Sequence, residues 1–300
     1  MSIPEKLRNE LINQHYKIVG NHSLVKLCSW LKRSLKDQGF CYKQKFYGIE
    51  SHRCLQMTPW MECSNRCIYC WRIIERMNIE PEDIDEPETI IEGCVQAQRL
   101  LLSGFKGFEG TNLKKWEEAN HPRHAAISLV GEPTMYPKIS ELIHAFHKRG
   151  FTTFLVTNGM FPERLENLEP PTNLYISLDA PDKETYKKLD RPLLKDYWER
   201  LLRSLEIAKT IQTRKVARLT MVKNWNMHSP ENYAKLIEIM NPDFIEIKAY
   251  MWVGESRKRL PFEAMPSHHE IKTFAERLAL ETGYVLKDEQ EESRVVLLSR

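Results

Sequence analysis

Apolar residues follow a helical period in the first part of the chain. Over residues 3–38 they fall at helical intervals, at Leu7, Leu11, Leu24, Leu27, Leu31 and Leu35. This spacing predicts a helical N-terminal extension that ends at Gly39. A strand is expected over 52–58, before Pro59, and a helix over 88–103, before Gly104. Residues 106–123 are polar and indicate an insertion or a lid.

From residue 124 onward, short apolar runs alternate with amphipathic stretches. Strands are expected over 124–130, 152–157, 174–178, 216–221 and 244–249, and helices over 139–149, 162–168, 183–189, 197–211, 230–240 and 268–282. A small hairpin, from residue 285 and over 295–298, closes the pattern. Repeated strand–helix units predict an α/β fold, an incomplete (β/α)6 TIM-like barrel with its chemistry at the C-terminal strand ends.

We expect two parts, an N-terminal helical and basic extension over 1–51 and a partial barrel with a C-terminal extension over 52–300. The chain has 300 residues, 28% of them charged, and a net charge of +3. Basic residues predominate between Lys26 and Cys54, and acidic ones between Glu75 and Glu92. This asymmetry indicates a face for a polyanion, although a basic run can equally be solvated surface.

The seven cysteines change the picture most. No apolar run is long enough for a membrane span and no signal peptide is evident, so we expect a reduced, cytoplasmic protein. Cysteines in that compartment indicate metal or redox chemistry rather than disulfides. Cys94 lies on an amphipathic segment and is interpreted as a buried small hydrophobe.

Cys63, Cys67 and Cys70 form a C-x3-C-x2-C motif whose thiolates can converge on one metal centre. Thiolates select zinc or iron–sulfur clusters. Three ligands on a [4Fe–4S] cluster leave one iron open, and S-adenosylmethionine (SAM) can chelate such an iron through its amino and carboxylate groups. The alternative is a four-cysteine zinc site that recruits Cys54.

Polar residues follow the predicted strands at their C-terminal ends. They are Gly131-Glu132-Pro133, Thr157-Asn158-Gly159, Ser177-Leu178-Asp179 and the alternating Glu246, Lys248 and Tyr250. Glu132 can accept a hydrogen bond from an ammonium group, and Ser177 and Asp179 can bind ribose hydroxyls. Each motif alone is also typical of an ordinary turn.

With these motifs the sequence resembles the radical SAM superfamily over about residues 52–250. The resemblance implies that Gly131, Glu132 and Pro133 bind the SAM amino group. It also makes Thr157, Asn158, Ser177 and Asp179 candidate SAM contacts, and Lys248 is a further cofactor-binding candidate.

Cys28, Cys41 and Cys54 follow one another at intervals of thirteen residues. They are either scattered core cysteines or ligands of a second metal site. With them, with Cys41-Tyr42-Lys43 and with the segment from Tyr250 to Arg257, the sequence resembles the archaeal-type tRNA 4-demethylwyosine synthases along almost its whole length.

That resemblance implies the reaction. N1-methylguanosine beside the anticodon of phenylalanine tRNA would condense with pyruvate, after an adenosyl radical removes a hydrogen from the methyl group. Two [4Fe–4S] clusters would serve the reaction, the second activating pyruvate. Lys43 matches the lysine proposed to hold pyruvate as a Schiff base, although the residues alone also allow a solvated or phosphate-binding lysine.

The remaining expectations concern partners and rival functions. With no flavodoxin-like segment in the chain, electrons are expected from a separate protein, and we expect a monomer. Contacts with tRNA phosphates are expected from Lys32, Arg33, Arg257 and Arg259. Trp252 or Trp71 would stack the target base or lie in the core. The alternatives are a radical SAM enzyme acting on a peptide or cofactor precursor, and a zinc-stabilised RNA-binding module.

Overall fold

The computed structural model describes residues 3–74 and 83–300. Its contacts divide the chain into two compact units. Unit 1 takes the described residues within Met1–Cys63, Arg76–Leu155 and Leu168–Thr172, and unit 2 those within Ser64–Glu75, Val156–Asn167 and Asn173–Arg300. The expected division at residue 52 stays a prediction. Part of the acidic stretch, residues 75–82, lies outside the described residues.

Unit 1 combines a short N-terminal hairpin with three parallel strands. The helices are α1 Glu5–Asn13, α2 Ser29–Ser34, α3 Tyr42–Tyr47, α4 Pro87–Leu102, α5 Leu113–Ala119 and α6 Ile139–Lys148. The strands are β1 Lys17–Val19, β2 Ser23–Val25, β3 Cys54–Thr58, β4 His124–Ile127 and β5 Thr152–Thr157. β1 pairs antiparallel with β2 and β2 with β3, whereas β3, β4 and β5 run parallel.

The helical prediction for residues 3–38 is wrong between α1 and α2, where the chain forms the β1–β2 hairpin. Gly20 sits in the hairpin turn with a φ of 55°. Leu24 and Val25 are adjacent in sequence and both fully buried, which a strand covered on both faces requires. Leu24 lies at a helical interval from Leu27, three residues further on, by coincidence, because the residues between them are not helical.

The polar segment 106–123 is not simply a lid. It contains α5, which the Asn112 side chain caps by accepting a hydrogen bond from Lys115 N at 3.1 Å. Trp116 packs against a buried cluster of Leu27, Leu31, Leu35, Leu102 and Ala119. Apolar contacts therefore hold this segment against α2 and α4.

Unit 2 continues the strand–helix alternation. Its helices are α7 Pro162–Leu165, α8 Lys183–Asp190, α9 Tyr197–Thr210, α10 Pro230–Met240 and α11 His268–Thr282. Its strands are β6 Asn173–Ser177, β7 Arg214–Met221, β8 Phe244–Ala249, β9 Val285–Gln290 and β10 Val295–Ser299. β6, β7 and β8 are parallel, and β10 pairs antiparallel with both β8 and β9. The predicted parallel strands and closing hairpin are confirmed, within a few residues at each end.

The parallel strands are apolar because both faces of such a sheet are buried. In β6, for example, Leu174, Tyr175 and Ile176 are consecutive and fully buried. Cys94, on α4, has no exposed surface, as expected for a core residue. None of the helices in the described part of the chain is both long and apolar enough to cross a membrane.

Candidate active site and metal-binding cysteines

The cysteine loop of unit 2, defined here as residues 64–71, is held by the end of α8 and the chain that follows it. Arg66 N donates to Asp190 O at 3.0 Å, and Ile68 N donates to Leu189 O at 2.9 Å. Leu193 N donates in return to Ser64 O at 2.8 Å. These backbone contacts hold the loop that carries Cys67 and Cys70, both partly exposed.

Two buried carboxyl groups lie beneath this loop. The Cys67 thiol donates to Asp190 Oδ1 at 3.2 Å. The Tyr69 hydroxyl lies 2.8 Å from Asp190 Oδ1 and 2.7 Å from Asp179 Oδ2. Burial, and next the charge of Asp179, raises the pKa of Asp190 to about 8. Tyr69 has one proton to donate, so a protonated Asp190 accounts for its second short contact.

Asp179 is committed to protein contacts on both carboxylate oxygens. Besides Tyr69, it accepts a hydrogen bond from Thr220 N at 2.6 Å on Oδ1. Burial raises its pKa, and the hydrogen bond from Tyr69 opposes the shift. Its role as a ribose-binding residue stays a prediction, because the contacts of Asp179 in the structure support the cysteine loop.

The turn after β5 also contacts the cysteine loop. Asn158 Nδ2 donates to Ser64 Oγ at 3.0 Å, and Asn158 Oδ1 accepts from Met160 N at 3.1 Å. Thr157 is buried, and its hydroxyl accepts from Gly159 N at 3.1 Å. Gly159 takes a φ of 75°, which suits glycine at this turn.

In unit 1, the Gly131-Glu132-Pro133 motif lies against the residues just before Cys63. A Cβ on Gly131 would lie 2.2 Å from Trp60 O, and Gly131 has a φ of 68°. Glu132 N donates to Glu62 O at 2.6 Å. Glu132 is buried, and its Oε1 accepts from Thr134 N at 3.0 Å and from Thr134 Oγ1 at 2.6 Å. Only glycine fits this close approach of two backbones.

Polar side chains also line up across the parallel strands of unit 2. Ser177 on β6 pairs in register with Arg218 on β7, and Arg218 pairs with Glu246 on β8. Thr220 pairs with Lys248 one pleat further on. The register of Ser177, Arg218 and Glu246 places a cation between a hydroxyl and a buried carboxylate. Tyr250 follows the strand, and its hydroxyl donates to Ser256 Oγ at 3.0 Å.

The N-terminal triad, defined as Cys28, Cys41 and Cys54, comes from three elements of unit 1. Cys28 precedes α2, and its Sγ accepts a hydrogen bond from Leu31 N at 3.2 Å. Cys41 precedes α3, and Cys54 is the first residue of β3, in register with His124 on β4. All three thiols are partly buried.

The three cysteines and Lys43 lie close enough for their charges to act on one another. Burial raises the pKa of Cys28 to about 11, and the charge of Cys41 adds to the shift. Burial raises the pKa of Cys54 as well, followed by the charge of Cys28 and opposed by that of Lys43. Burial and mutual repulsion disfavour the thiolate form of these cysteines, so a cationic metal centre is needed to hold them as thiolates. A soft iron–sulfur centre fits this donor set.

Lys43, the second residue of α3, is 9% exposed. Its Nζ lies 4.8 Å from the centre of the Phe154 ring, and Phe154 is itself buried. Lys45, two residues further on, is exposed. The two neighbouring lysines therefore differ in environment.

Side chains behind the N-terminal triad fix its geometry. Cys41 N donates to Ser51 Oγ at 2.9 Å, and Ser51 Oγ donates to Gln44 Oε1 at 2.8 Å. His124 Nε2 accepts from Glu50 N at 3.1 Å, while Nδ1 lies 2.7 Å from Thr152 Oγ1. Burial lowers the pKa of His124 to about 4, so the ring is neutral and Nδ1 is the donor.

The sequence alone assigns no site role to Tyr69, Asp190, Arg218 or Ser51. Arg218 and Thr220 alternate within an apolar strand, and this signal could have marked them. Asp190 carries no local signal, because it meets Cys67 across a separation of 123 residues. Trp252 is partly buried and packs against a buried cluster, and its Nε1 donates to Leu260 O at 2.8 Å.

The parallel α/β fold and the cysteine motif define a radical SAM enzyme. Residues 57–237 match the family described as Radical SAM superfamily, and residues 239–300 match the one described as Wyosine base formation.

Curated relatives identify the branch of this superfamily. The chain is 55% identical over 307 residues to the S-adenosyl-L-methionine-dependent tRNA 4-demethylwyosine synthase of Pyrococcus abyssi, covering 100% of this chain and 90% of that protein. It is 44% identical over 301 residues to the synthase of Arabidopsis thaliana, covering 98% of this chain and 46% of the plant protein. The chain belongs to the tRNA 4-demethylwyosine synthases.

Solved structures agree with this family assignment. A structure of TYW1 with a lysine-pyruvate adduct bound superposes with a TM-score of 0.92 at 41% identity, covering 100% of this chain and 97% of that one. A crystal structure of archaeal TYW1 gives a TM-score of 0.83 at 38% identity, covering 99% and 96%. The radical SAM fold of the chain is therefore confirmed.

Proposed function

We propose that this synthase condenses pyruvate with N1-methylguanosine of phenylalanine tRNA to form 4-demethylwyosine. Lys43 would hold pyruvate, and the N-terminal triad would bind a second [4Fe–4S] cluster beside it. The observation that carries the proposal is the Lys43 amine, which is 9% exposed and close enough to Cys28 and Cys54 for its charge to act on the pKa of both thiols.

The first step uses only groups of this chain and the substrate. The Lys43 amine adds to the C2 ketone of pyruvate and forms a carbon–nitrogen bond. The ketone oxygen leaves as water with both amine hydrogens, and an imine remains. The Phe154 ring, 4.8 Å from Nζ, limits the positions that the lysine tip can take and shields one side of it from water.

The relatives support this assignment. A structure with a TM-score of 0.92 to this chain is that of TYW1 with a lysine-pyruvate adduct bound. Lys43 is buried and its charge acts on Cys28 and Cys54, whereas Lys45 is exposed. Lys43 is therefore the residue of this pair that we assign to the adduct.

The cofactors in the proposal are SAM and two [4Fe–4S] clusters, one on Cys63, Cys67 and Cys70 and one on the N-terminal triad. When bound, they would supply a one-electron route to SAM cleavage and an open iron able to chelate pyruvate. The candidate SAM residues Gly131, Glu132, Pro133, Thr157, Asn158, Ser177, Asp179 and Lys248 belong to this proposal. A separate protein would deliver the electrons to a monomeric enzyme in the cytoplasm.

Contacts with tRNA are assigned to cations that are exposed or half-buried. Arg33 is exposed and stacks over Trp30, with 4.8 Å between the guanidinium carbon and the ring centre. Arg257 is exposed over Trp252 at 4.4 Å, and Lys32 lies on α2 beside Arg33. Replacing any one of these cations with Ala should reduce the salt dependence of tRNA binding by about one unit of slope. Binding that is independent of salt would contradict this assignment.

Borohydride trapping tests the lysine. The reagent adds hydride to the imine carbon and leaves a stable amine, so labelled pyruvate should appear on the peptide that contains Lys43. Lys43→Arg keeps the charge and should lose both the label and the modified nucleoside, by roughly three orders of magnitude or more. Lys45→Arg is the matched control and should keep both.

Two results would contradict the role of Lys43. Label on Lys45, or wild-type turnover by Lys43→Arg, would make Lys43 an electrostatic residue. Pyruvate activation would then depend on the cluster alone. Mass spectrometry of tRNA nucleosides, with SAM, pyruvate and a reductant present, provides the turnover measurement. An unmodified N1-methylguanosine under those conditions would contradict the reaction itself.

A further inference from the structure

Arg259 contacts the cysteine loop directly, although the sequence predicts a tRNA phosphate contact for it. Its Nε donates to Ile68 O at 3.0 Å, across a separation of 191 residues. Its Nη2 donates to Cys70 O. One planar guanidinium thus fixes two carbonyl groups of the loop, one of them belonging to a cysteine.

The neighbouring residues Gly254 and Glu255 contact Trp71, at the end of the same loop. Glu255 N donates to Trp71 O at 3.0 Å. Gly254 has a φ of 58°, and a Cβ there would lie 2.3 Å from Trp71 O. Glycine is therefore required for a steric reason as well as a conformational one. We call residues 252–260 the brace.

Buried packing and hydrogen bonds hold the inner side of the brace. Trp252 packs against a buried cluster that includes Ile68, Tyr250 and Leu260, and Tyr69 packs against the same cluster. Ser256 is fully buried, and its hydroxyl donates to Val253 O at 2.7 Å. These contacts fix the backbone that presents Arg259 to the loop.

The outer side of the brace is exposed and cationic. Arg257 is exposed and stacks on Trp252, and the Lys258 side chain is 74% exposed. Arg257 and Arg259 are thus two residues apart, one directed to solvent and one to the cysteine loop. The pair provides a matched comparison within one segment.

We propose that Arg259 is a positioning residue for the cysteine loop and that the brace holds the loop in its ligand geometry. The two hydrogen bonds fix the backbone on both sides of Tyr69, between Cys67 and Cys70. The guanidinium charge also offsets the negative charge that thiolate ligands bring to the loop. The proposal depends on membership of the radical SAM superfamily and is independent of pyruvate, Lys43 and the N-terminal triad.

Two effects follow when the side chain is removed. The loop loses two fixed carbonyl groups, so the cysteines hold iron less firmly. Loss of a partner behind a metal ligand typically costs ten- to a hundredfold in affinity. The loss of a nearby positive charge also disfavours addition of an electron, so the reduction potential of the cluster on Cys63, Cys67 and Cys70 should fall.

The test uses the full-length, anaerobically reconstituted protein with Arg259→Ala, Arg259→Lys and Arg257→Ala. The readouts are iron release to a chelator, the change that SAM causes in the electron paramagnetic resonance spectrum of the reduced protein, and the midpoint potential. The SAM-dependent change selects the cluster that binds SAM, whether or not a second cluster exists.

Arg259→Ala should release iron from that cluster about tenfold to a hundredfold faster, lower its potential and alter the SAM-dependent spectrum. Arg259→Lys should recover the potential and only part of the iron retention, because an ammonium cannot bond both carbonyl groups in the same way. Arg257→Ala should leave all three readouts at wild-type values and lower the salt slope of tRNA binding.

Gly254→Ala is a second variant that keeps the charge. It should speed iron release while the potential stays near the wild-type value. Wild-type iron release, spectrum and potential in Arg259→Ala would overturn the proposal. A salt slope lower by about one unit in that variant would then assign Arg259 to a tRNA phosphate.

Discussion

The two cysteine triads of this chain are built in opposite ways. Cys63, Cys67 and Cys70 lie within one short segment of sequence, whereas Cys28, Cys41 and Cys54 come from the starts of α2, α3 and β3. The loop that carries Cys67 and Cys70 is held mainly through its backbone, by partners more than a hundred residues away in sequence. The N-terminal triad is held through side chains, notably Ser51 and Gln44.

The two triads therefore depend on the fold in different ways. A triad with local spacing can be recognised without knowing the structure, but its geometry depends on distant backbone contacts. A dispersed triad exists only when its three elements have assembled. Changes to the fold of unit 1 should therefore affect the N-terminal triad first, and changes to the brace should affect the cysteine loop first.

The largest expected effect comes from the cysteines themselves. Replacing Cys28, Cys41 and Cys54 together with Ala should lower the iron content from about eight to about four atoms per chain. SAM cleavage should persist, while the tricyclic product disappears. Cys67→Ala or Cys70→Ala should abolish both SAM cleavage and product.

Iron analysis and assays for 5′-deoxyadenosine and product provide the measurements. Unchanged iron content in the triple variant would mean that the N-terminal triad holds no cluster, and the comparison of two metal sites would fail. Cys94→Ala is the matched control, because Cys94 is buried on α4 and belongs to neither triad.

The next effect concerns the core beside Lys43. Phe154→Ala removes a ring that is 2% exposed and should destabilise the iron-free protein by about 3–5 kcal/mol in urea unfolding. Phe154→Leu keeps most of the volume and should cost about 1 kcal/mol. Both variants should trap less pyruvate on Lys43. Trapping at the wild-type level in Phe154→Leu would show that the ring does not position the amine.

His124 should make unit 1 sensitive to acid. Burial lowers its pKa from 6.5 to about 4, so the unfolded chain binds the proton more readily than the folded chain. The contribution of His124 to the free energy of unfolding should therefore be constant above pH 6.5. It should fall as the pH drops from 6.5 to 4, by about 3 kcal/mol at most. Urea unfolding of the iron-free protein at several pH values measures it.

His124→Gln keeps an acceptor for Glu50 N without a titrating group. The difference in stability between this variant and the wild type should be flat above pH 6.5 and should narrow or reverse below it. Parallel pH curves would contradict a neutral, buried ring.

The smallest effect is expected at Ser51, which supports only the N-terminal triad. Ser51→Ala leaves the partly buried Cys41 N without its side-chain acceptor and should cost about 1 kcal/mol of stability. Iron bound by the triad should exchange faster, while SAM cleavage stays at the wild-type rate. Ser64→Ala, whose hydroxyl accepts from Asn158 in unit 2, is the reciprocal control.

Much of the fold could be predicted because the sequence periods change with the elements. β5, β8 and α11 match their predicted bounds. The sequence does not reveal the β1–β2 hairpin, because its strands are short and leucines on either side of it lie at helical intervals. Hairpins of three-residue strands offer too few positions for a period-two pattern to stand out.

The cysteine sites illustrate the same limit at the level of side chains. The spacing of Cys63, Cys67 and Cys70 predicts a metal site because all three ligands are local. Arg259 gives no such signal, since its sequence neighbours Arg257 and Lys258 look like the same basic cluster. Only the folded chain separates a guanidinium that bonds backbone carbonyl groups from one that faces solvent.

Cys94 has a consequence for chemical labelling. Its thiol has no exposed surface, and burial raises its pKa, so alkylating reagents should not reach it in the folded chain. The six other cysteines of the chain are partly exposed. Alkylation of the iron-free protein should therefore reach Cys94 last, only when the molecule unfolds. The rate of that last modification measures how fast the core opens, without any added probe.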